Sequence, residues 1–294
     1  MENKNSGNHL SKKLLDAKKQ AALETIRSKY FNREKWPRSR FLCVADDVDD
    51  GAQRALDYCR WNIEDASKLI ESTLTWREEE KIDEILNHKM ADKDVAAIRA
   101  AFGDGFFGQD LEGYPIYWCP AGQIDIASLK DKVSLSDMLR YHIQLMEFNQ
   151  QVYLRRISGE SNRTIHNFTG VLDLKGFGAR NLNKAFRECL SVVSIIDRDY
   201  YYDNFHKVII MNAPTIFRLF WKTTSALYRA ETKAKFLLLD RTEDLFKHVD
   251  PAITPVQFGG NYDGNDALFS KDNSHTKHSK EMDAYLEKLN RMNE

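Results

Sequence analysis

Three features that mark other protein classes are missing from this sequence of 294 residues. It has no run of about eighteen apolar residues, because VIIMNAP and FLLLD are far shorter, and this argues against a membrane-spanning helix. The polar amino terminus lacks the apolar centre of a signal peptide, so we expect a cytoplasmic protein. The four cysteines are widely separated and fit no zinc or redox spacing, which predicts reduced, buried thiols.

An excess of charge of either sign is also missing. The 43 basic and 44 acidic residues leave a net charge of −1, so the chain has no bulk attraction to nucleic acid or to an anionic membrane. We therefore expect no nucleic-acid partner, and any anionic ligand has to be met by a local cluster of basic residues. The acidic run ADDVDDG is interpreted as a solvated, irregular segment.

Motifs for catalysis are lacking as well. GDGFFG, residues 103–108, matches the letters of a dinucleotide-binding loop, but that loop needs a strand before it and a helix after it. Here a helical pattern precedes the motif and a strand-like run follows, which predicts a plain helix-to-strand loop. None of the eight histidines has metal-ligand spacing, and no GxSxG motif occurs. The sequence predicts a protein that is not an enzyme and has no metal site.

Hydrophobic periodicity divides the chain into three parts. Residues 1–101 are predicted to be a helical unit, with helices near 9–30, 50–60, 62–86 and 92–102. Residues 102–262 are predicted to be an α/β lobe with a mostly parallel sheet. Its predicted strands are Tyr114–Cys119, Phe168–Leu174, Val208–Met211 and Phe236–Leu239, alternating with helices near 134–157, 180–198 and 214–228. Residues 263–294 are a charged tail, predicted to be disordered or one short helix.

The predicted helix near 214–228 has a wider apolar surface than one buried face requires. Its apolar residues cover an arc of roughly 220°, about twice the stripe of an ordinary surface helix. They are Ile216, Phe217, Leu219, Phe220, Trp221, Ala226, Leu227 and Tyr228. The second apolar face could be buried by protein, cover a ligand or contact a membrane, and periodicity alone leaves these three possibilities open.

Six segments resemble, in their chain order, the segments of one family of lipid-binding domains. They are RALDYCRWNIEDASKLIESTLTWREE, DLEGYPIYWCPAGQID, GVLDLKGFGARNL, YYYDNFHKVIIMNAPTIFRLFWKTTSAL, ETKAKFLLL and ITPVQFGG. Over residues 40–262 the chain resembles the CRAL-TRIO lipid-binding family, and within it the secretory-pathway phosphatidylinositol transfer proteins. The resemblance implies an α/β lobe that encloses one lipid in a gated cavity, preceded by a small all-helical unit.

The resemblance also implies a role for the wide apolar helix. In that family the helix after NAP is a gate that closes over the cavity and swings outward at a membrane. The implied cavity and gate residues are Phe168, Ile216, Phe217, Phe220, Trp221 and Leu227. An enclosed site is physically reasonable, because an acyl chain of about sixteen carbons in water would cost about 13 kcal/mol at ~0.8 kcal/mol per CH₂.

Phosphatidylinositol transfer members hold the headgroup phosphate with a threonine and a lysine beside the strand after the gate. Lysine supplies charge and donors and threonine a hydroxyl, and both residue types are kept here. A basic pair of those members matches Cys59 and Arg60, so one cation is kept, and an acidic position matches Asp203 or Asn204. The implied headgroup residues are Thr232, Lys235, Arg60, Asp203 and Asn204.

One departure from the family concerns phosphatidylcholine. Members that also exchange this lipid carry hydroxyl residues at the positions of Phe168 and Gly170. Neither residue has a side-chain donor for a phosphate, so we predict weak or absent phosphatidylcholine binding.

These residues favour a monomeric, non-enzymatic carrier or presenter of a phospholipid. Phosphatidylinositol is the favoured cargo, a membrane surface is a transient contact, and no cofactor is expected apart from the bound phospholipid. Three alternatives stay open: a carrier of a sterol or another hydrophobe without phosphate, a lipid-gated adaptor without net transfer, and an α/β enzyme.

Overall fold

The first part of the chain is a bundle of helices. The computed structural model describes residues 3–35, 38, 40–44, 48–178, 181, 183–225, 230–263 and 277–292. The helices of the first part are α1 (Asn3–Tyr30), α2 (Val48–Tyr58), α3 (Ile63–Glu79), α4 (Ile82–Leu86) and α5 (Asp92–Phe102), with a short 3₁₀ turn at Arg40–Leu42. Ala22 and Ile26 on α1 pack in one core with Ala66, Ile70 and Leu74 on α3, and both sets follow the four-residue helical spacing.

Local signals set the ends of α3. The Asn62 side chain accepts hydrogen bonds from the amides of Glu64 and Asp65, which caps the first turn. After Glu79 the chain passes through Lys81, whose φ of 52° is left-handed and interrupts the helix. The single helix predicted near 62–86 is therefore wrong at this point, since the segment forms two helices.

The second part of the chain contains one sheet of five strands. They are β1 (Gly105–Gln109), β2 (Pro115–Cys119), β3 (Phe168–Asp173), β4 (Phe205–Met211) and β5 (Phe236–Leu238). The strands lie side by side in chain order, with β1 antiparallel to β2 and all other neighbours parallel. The predicted α/β class and mostly parallel sheet are confirmed, and β1 is a strand that the prediction missed.

Helices connect the parallel strands across one face of the sheet. They are α6 (Ile126–Lys130), α7 (Leu135–Phe148), α8 (Leu154–Ser161), α9 (Lys184–Asp199), α10 (Thr215–Thr224) and α11 (Ala230–Ala234). A π-helical turn, Asn149–Tyr153, joins α7 to α8. Right-handed crossovers between neighbouring parallel strands place their helices on the same side. Among the described residues, no helix combines the length and the hydropathy needed to cross a bilayer.

The two faces of the sheet have different neighbours. On one face, Ile116, Trp118 and Val171 pack against Leu245 and Phe258 from the chain after β5, which contains 3₁₀ turns at Thr242–Lys247 and Val256–Phe258. Because side chains alternate along a strand, the residues between them face the crossover helices. This second face forms the floor of a cavity.

The GDGFFG motif ends a helix and begins a strand. Gly103, with a φ of 58°, caps α5, and β1 starts at Gly105 within the motif. The prediction of a plain loop over residues 103–108 is wrong, since residues 105–108 belong to β1. The motif does follow a helix and precede strand structure, which is the reverse of a dinucleotide-binding loop.

The charged tail contributes a helix, α12 (Lys277–Met292), that docks on the lobe. Met282 is 1% exposed, and Arg99 donates to both carboxylate oxygens of Asp283 at 3.0 and 2.7 Å. His278 Nε2 lies 2.9 Å from Asn149 Oδ1, and burial lowers the pKa of this imidazole to about 3. The neutral ring can therefore stay buried, and α12 is held by packing as well as by charge.

The helical unit is joined to the lobe by a buried ion pair. Arg77 on α3 and Glu147 on α7 are 9% and 1% exposed, with Arg77 Nη2 donating to Glu147 Oε2 at 3.1 Å. The Tyr201 hydroxyl donates to the other carboxylate oxygen at 2.7 Å. Both oxygens of the buried carboxylate are thus paired, as burial of a charge requires.

Candidate functional site

A cavity of about 370 Å³ lies between the sheet and the helices α7, α9 and α10. Its wall is mostly apolar, with contributions from Phe168 and Leu172 on β3, Leu145 on α7, Val193 on α9 and Phe217 on α10. Such a volume is within the range of small-molecule sites. The cavity is suited to an apolar ligand or to the apolar part of a larger one.

One end of the cavity meets a polar cluster. Asn204 lines the cavity, and the preceding residue, Asp203, accepts a hydrogen bond from Lys235 Nζ at 2.6 Å. Lys235 also donates to the Phe205 carbonyl at 2.7 Å. Burial opposes ionisation of Asp203, but His166 and Lys235 outweigh it and lower the pKa to about 2. This carboxylate is ionised at neutral pH and fixes the position of the lysine.

Two buried side chains donate hydrogen bonds to Asn204. Arg54 Nη2 and Gln150 Nε2 each donate to Asn204 Oδ1 at 3.1 Å, and Arg54 also donates to the Tyr202 carbonyl at 2.5 Å. Asn204 Nδ2 and Arg54 Nε are buried and have no hydrogen-bond partner within the described part of the chain. Unsatisfied buried donors are costly, so these two groups favour an acceptor nearby.

The helical unit contributes Arg60 to the same end. Its guanidinium lies 2.5 Å from Glu231 on α11, next to Thr232, and the side chains of Arg60 and Glu231 are 59% and 60% exposed. Arg60 has a left-handed φ of 54° in the turn that follows α2. Thr232 is half-buried, and its carbonyl accepts from the Lys235 amide at 3.1 Å. Of the five residues expected at a headgroup, Asn204 is the one on the cavity wall.

The expected cavity and gate residues are divided between three environments. Phe168, Phe217 and Phe220 line the cavity, and Ile216 is 40% exposed on the outer side of α10. Trp221 packs against Phe236 of β5, with ring centroids 4.6 Å apart, and is not among the lining residues. Leu227, with Ala226 and Tyr228, lies outside the described residues. The wide apolar arc therefore contacts the cavity, the sheet edge and the outside in turn.

Aromatic rings occupy the space at Phe168 and beside Gly170, the two positions where the resemblance implies hydroxyl residues in phosphatidylcholine exchangers. Phe168 is 5% exposed and makes edge contacts with Phe106 and Phe205, with centroids 4.9 and 4.8 Å apart. A Cβ built on Gly170 would lie 3.2 Å from the Phe205 ring, so this ring occupies the space beside the glycine. The cavity is narrow and apolar here.

Other polar residues also line the cavity. His142 Nε2 lies 2.7 Å from Asp197 Oδ1, and the Tyr117 hydroxyl hydrogen-bonds to Asp104. Burial raises the pKa of Asp104, which favours the neutral carboxylic acid. This wall offers hydrogen bonds but no fixed positive charge. Within the described residues no cluster of three or more potential metal ligands occurs.

In the polar cluster, prediction missed Asp50, Arg54 and His166. The ADDVDDG run was interpreted as solvated and irregular, but Asp50 lies on α2 and its side chain is 7% exposed. His166 lies between Asp50 and Asp203, at 3.4 and 3.5 Å. The spacing of Asp50 and Arg54 by four residues was the one available signal, because it places both on the same face of a helix.

Comparison with known proteins identifies the family to which the second part of the chain is similar. The family model described as the CRAL/TRIO domain matches residues 104–260. The phosphatidylinositol/phosphatidylcholine transfer proteins SFH11 and SFH13 of Arabidopsis thaliana are 25% identical over 211 residues and 30% identical over 203 residues. These alignments cover 71% and 68% of this chain but 56% and 32% of those proteins. A solved structure titled "Crystal structure of Sfh5" is 17% identical with a TM-score of 0.49, covering 66% of this chain and 65% of that one.

Proposed function

Because the chain belongs to the CRAL/TRIO domain family, we propose that it binds a phospholipid, favours phosphatidylinositol, and transfers or presents it without chemical change. It acts as a cytoplasmic monomer that touches membranes transiently. The chain spans about a third to a little over half of the length of the two transfer proteins compared above.

The pairing of the Lys235 ammonium group with Asp203, the residue before the cavity-lining Asn204, is the observation that carries this proposal. Lipid tails suit the apolar wall, and a phosphodiester suits a lysine with neighbouring donors. Asn204 connects the two regions, since it lines the cavity and follows Asp203, the partner of Lys235. Arg60 pairs with Glu231, the residue before Thr232, and supplies a second cation at the surface.

Phosphatidylinositol is favoured over phosphatidylcholine for a steric reason. The aromatic cluster of Phe106, Phe168 and Phe205 leaves no side-chain donor and little space inside the narrow part of the cavity. A choline-linked phosphate at that depth would lose its hydration without regaining hydrogen bonds. A headgroup near Lys235 avoids this loss.

A neutral, hydroxyl-bearing lipid is the second candidate, and one observation favours it. Asp104 and the His142–Asp197 pair on the cavity wall can hydrogen-bond a hydroxyl, whereas they offer no fixed positive charge to a phosphate. A sterol or a diacylglycerol has this chemistry. The Lys235 cluster would then have no role in binding cargo.

Native mass spectrometry after incubation with mixed vesicles tests the proposal. The vesicles contain equal amounts of phosphatidylinositol, phosphatidylcholine, diacylglycerol and cholesterol. We expect one phosphatidylinositol per chain, and little bound phosphatidylcholine. A complex that contains only cholesterol or diacylglycerol would support the second candidate, and lipid binding without transfer to acceptor vesicles would support an adaptor.

Membrane contact at the cavity mouth leads to a further prediction. Leu190 on α9 and Phe220 on α10 line the cavity and are 43% and 42% exposed, so they mark its opening. Leu219 beside them is 64% exposed. We expect Leu219→Asp to slow vesicle-to-vesicle transfer about 10- to 100-fold, because inserting one leucine contributes about 1.5–3 kcal/mol.

The control for this variant is Leu111→Asp, at a leucine that is 62% exposed but lies in the turn after β1. Both substitutions place a charge on the surface, so both proteins should fold, which circular dichroism can verify. Equal transfer rates for the two variants would exclude α10 as the membrane contact.

A further inference from the structure

The headgroup lysine belongs to a chain of charges that reaches the helical unit. Lys235 contacts Asp203, His166 lies on the other oxygen of Asp203, and Asp50 on α2 lies on the other nitrogen of His166. We propose that His166 is a positioning residue whose protonation releases Lys235 from Asp203, so that binding of the phosphate headgroup is coupled to uptake of a proton. This inference rests on the proposed function and adds its pH dependence.

The geometry puts His166 where its charge matters to Asp203. The distances from its two nitrogens to Asp50 and Asp203 are 3.4 and 3.5 Å, and both carboxylates are largely buried, with side chains 7% and 18% exposed. Nδ1 of His166 is buried and makes no hydrogen bond within the described residues. Screening by water is weak at such a site, so a proton on the ring is felt by both carboxylates.

The formal charges of the cluster balance only when the ring is neutral. Arg54 and Lys235 carry two positive charges, and Asp50 and Asp203 carry two negative ones. A phosphate that reaches Lys235 adds one negative charge beside Asp203, and like charges at short distance repel. A proton on His166 restores the balance and gives Asp203 a partner other than Lys235. Lysine is then free to donate to the phosphate.

The groups that face His166 set its protonation equilibrium. Burial favours the neutral ring and Arg54 repels the charged one, but Asp203 and Asp50 outweigh them and raise the pKa of His166 above its usual value. A bound phosphate raises this pKa further. By linkage, phosphate affinity is highest when the ring is already charged, and it weakens as the pH rises through the pKa of the lipid-free protein.

Binding of fluorescent phosphatidylinositol between pH 5.5 and 8.5 tests the inference. We expect the affinity of the wild type to fall about tenfold across this range, which corresponds to a pKa shift of about one unit. His166→Gln should lose this dependence, so that any remaining variation with pH is the same for phosphatidylinositol and for diacylglycerol. His206→Gln, which removes a half-buried histidine paired with Glu112, should keep the dependence of the wild type.

Fluorescent diacylglycerol provides the control for the cavity itself. Burial opposes a charge on His142 at the cavity wall, but Asp197 outweighs it and raises the pKa of this ring. An effect of His142 should appear with both lipids, whereas the effect of His166 should appear only with phosphatidylinositol. If His166→Gln does not fold, Asp50→Asn replaces it and should move the midpoint of the dependence to lower pH, because the ring loses one carboxylate.

Two failures are distinguishable. If the wild type binds phosphatidylinositol with the same affinity at every pH, the role of His166 is wrong and the proposed function stays intact. The same conclusion follows if both His166→Gln and Asp50→Asn keep the pH dependence of the wild type. A wild type that binds diacylglycerol but no phosphatidylinositol at any pH would overturn both.

Discussion

Lys235→Ala is expected to reduce phosphatidylinositol transfer between vesicles about 10- to 100-fold. A hydrogen bond to a charged group contributes about 1.5–3 kcal/mol, and tenfold in affinity corresponds to about 1.4 kcal/mol. The protein should stay folded, because the lysine side chain is 31% exposed and Asp203 keeps His166 as a partner. Transfer of diacylglycerol by the same variant should be unchanged.

The matched control is Lys207→Ala. Lys207 on β4 also pairs with a carboxylate, that of Glu112, but this carboxylate lies in the turn after β1 and is not next to Asn204. Its removal should leave transfer of both lipids near the wild-type rate. Equal phosphatidylinositol transfer by the wild type and Lys235→Ala would remove Lys235 from the headgroup site. Equal losses for both lysine variants would point to a general effect on the fold.

The largest loss of stability is expected for Arg77→Ala. Removing one partner of a buried ion pair leaves an uncompensated charge and costs about 3–5 kcal/mol. Here the remaining charge is Glu147, which is 1% exposed and is then held by Tyr201 alone. Thermal unfolding followed by circular dichroism should show a midpoint lowered by on the order of 10 °C.

Two further variants separate charge from packing. Lys68→Ala removes an exposed lysine from the same helix, α3, where it pairs with Glu64, and the midpoint should not change measurably. Arg77→Met with Glu147→Gln removes both charges and keeps an acceptor for Tyr201, so it should recover most of the loss. A double variant as unstable as Arg77→Ala would indicate that packing of the Arg77 side chain, which lies over Phe41 at 4.4 Å, is the main contribution.

Local patterns predicted the parallel strands because buried parallel strands are continuous apolar runs. The runs VIIM and FLLL became parts of β4 and β5, and the predicted strand starting at Phe168 became β3. The edge strand β1 was missed for the opposite reason. It contains two glycines, and its pairing with β2 shifts register between Phe106 and Gln109, so no regular alternation marks it.

Helix α12 has a helical hydrophobic periodicity that is hard to see among its many charged residues. Its residues His278, Met282, Tyr285 and Leu289 follow a spacing of three or four, which predicts an amphipathic helix despite the many charges around them. The histidine in this stripe can be buried with the apolar residues, because its ring is neutral and contacts Asn149. Periodicity was the better guide than mean polarity for this segment.

The polar cluster was harder to predict because its members are far apart in the chain. The resemblance implied Lys235 and left Asp203 and Asn204 as alternatives for one position. In the structure the two residues have different contacts, since Asp203 pairs with the lysine and Asn204 lines the cavity. Nothing local connects His166 with Asp50, which is 116 positions earlier. Only the folded chain brings them within 3.4 Å.

The π-helical turn at Asn149–Tyr153 makes the cavity sensitive to the insertion or deletion of a single residue in this part of the chain. It points Asn149 at His278 of α12 and Gln150 at Asn204, on two different sides of the same helix. Deleting one residue here would leave a continuous helix, but it would rotate everything that follows by about 100°. A relative that is one residue shorter at this turn would therefore have a differently shaped cavity, although its alignment would show only a single gap.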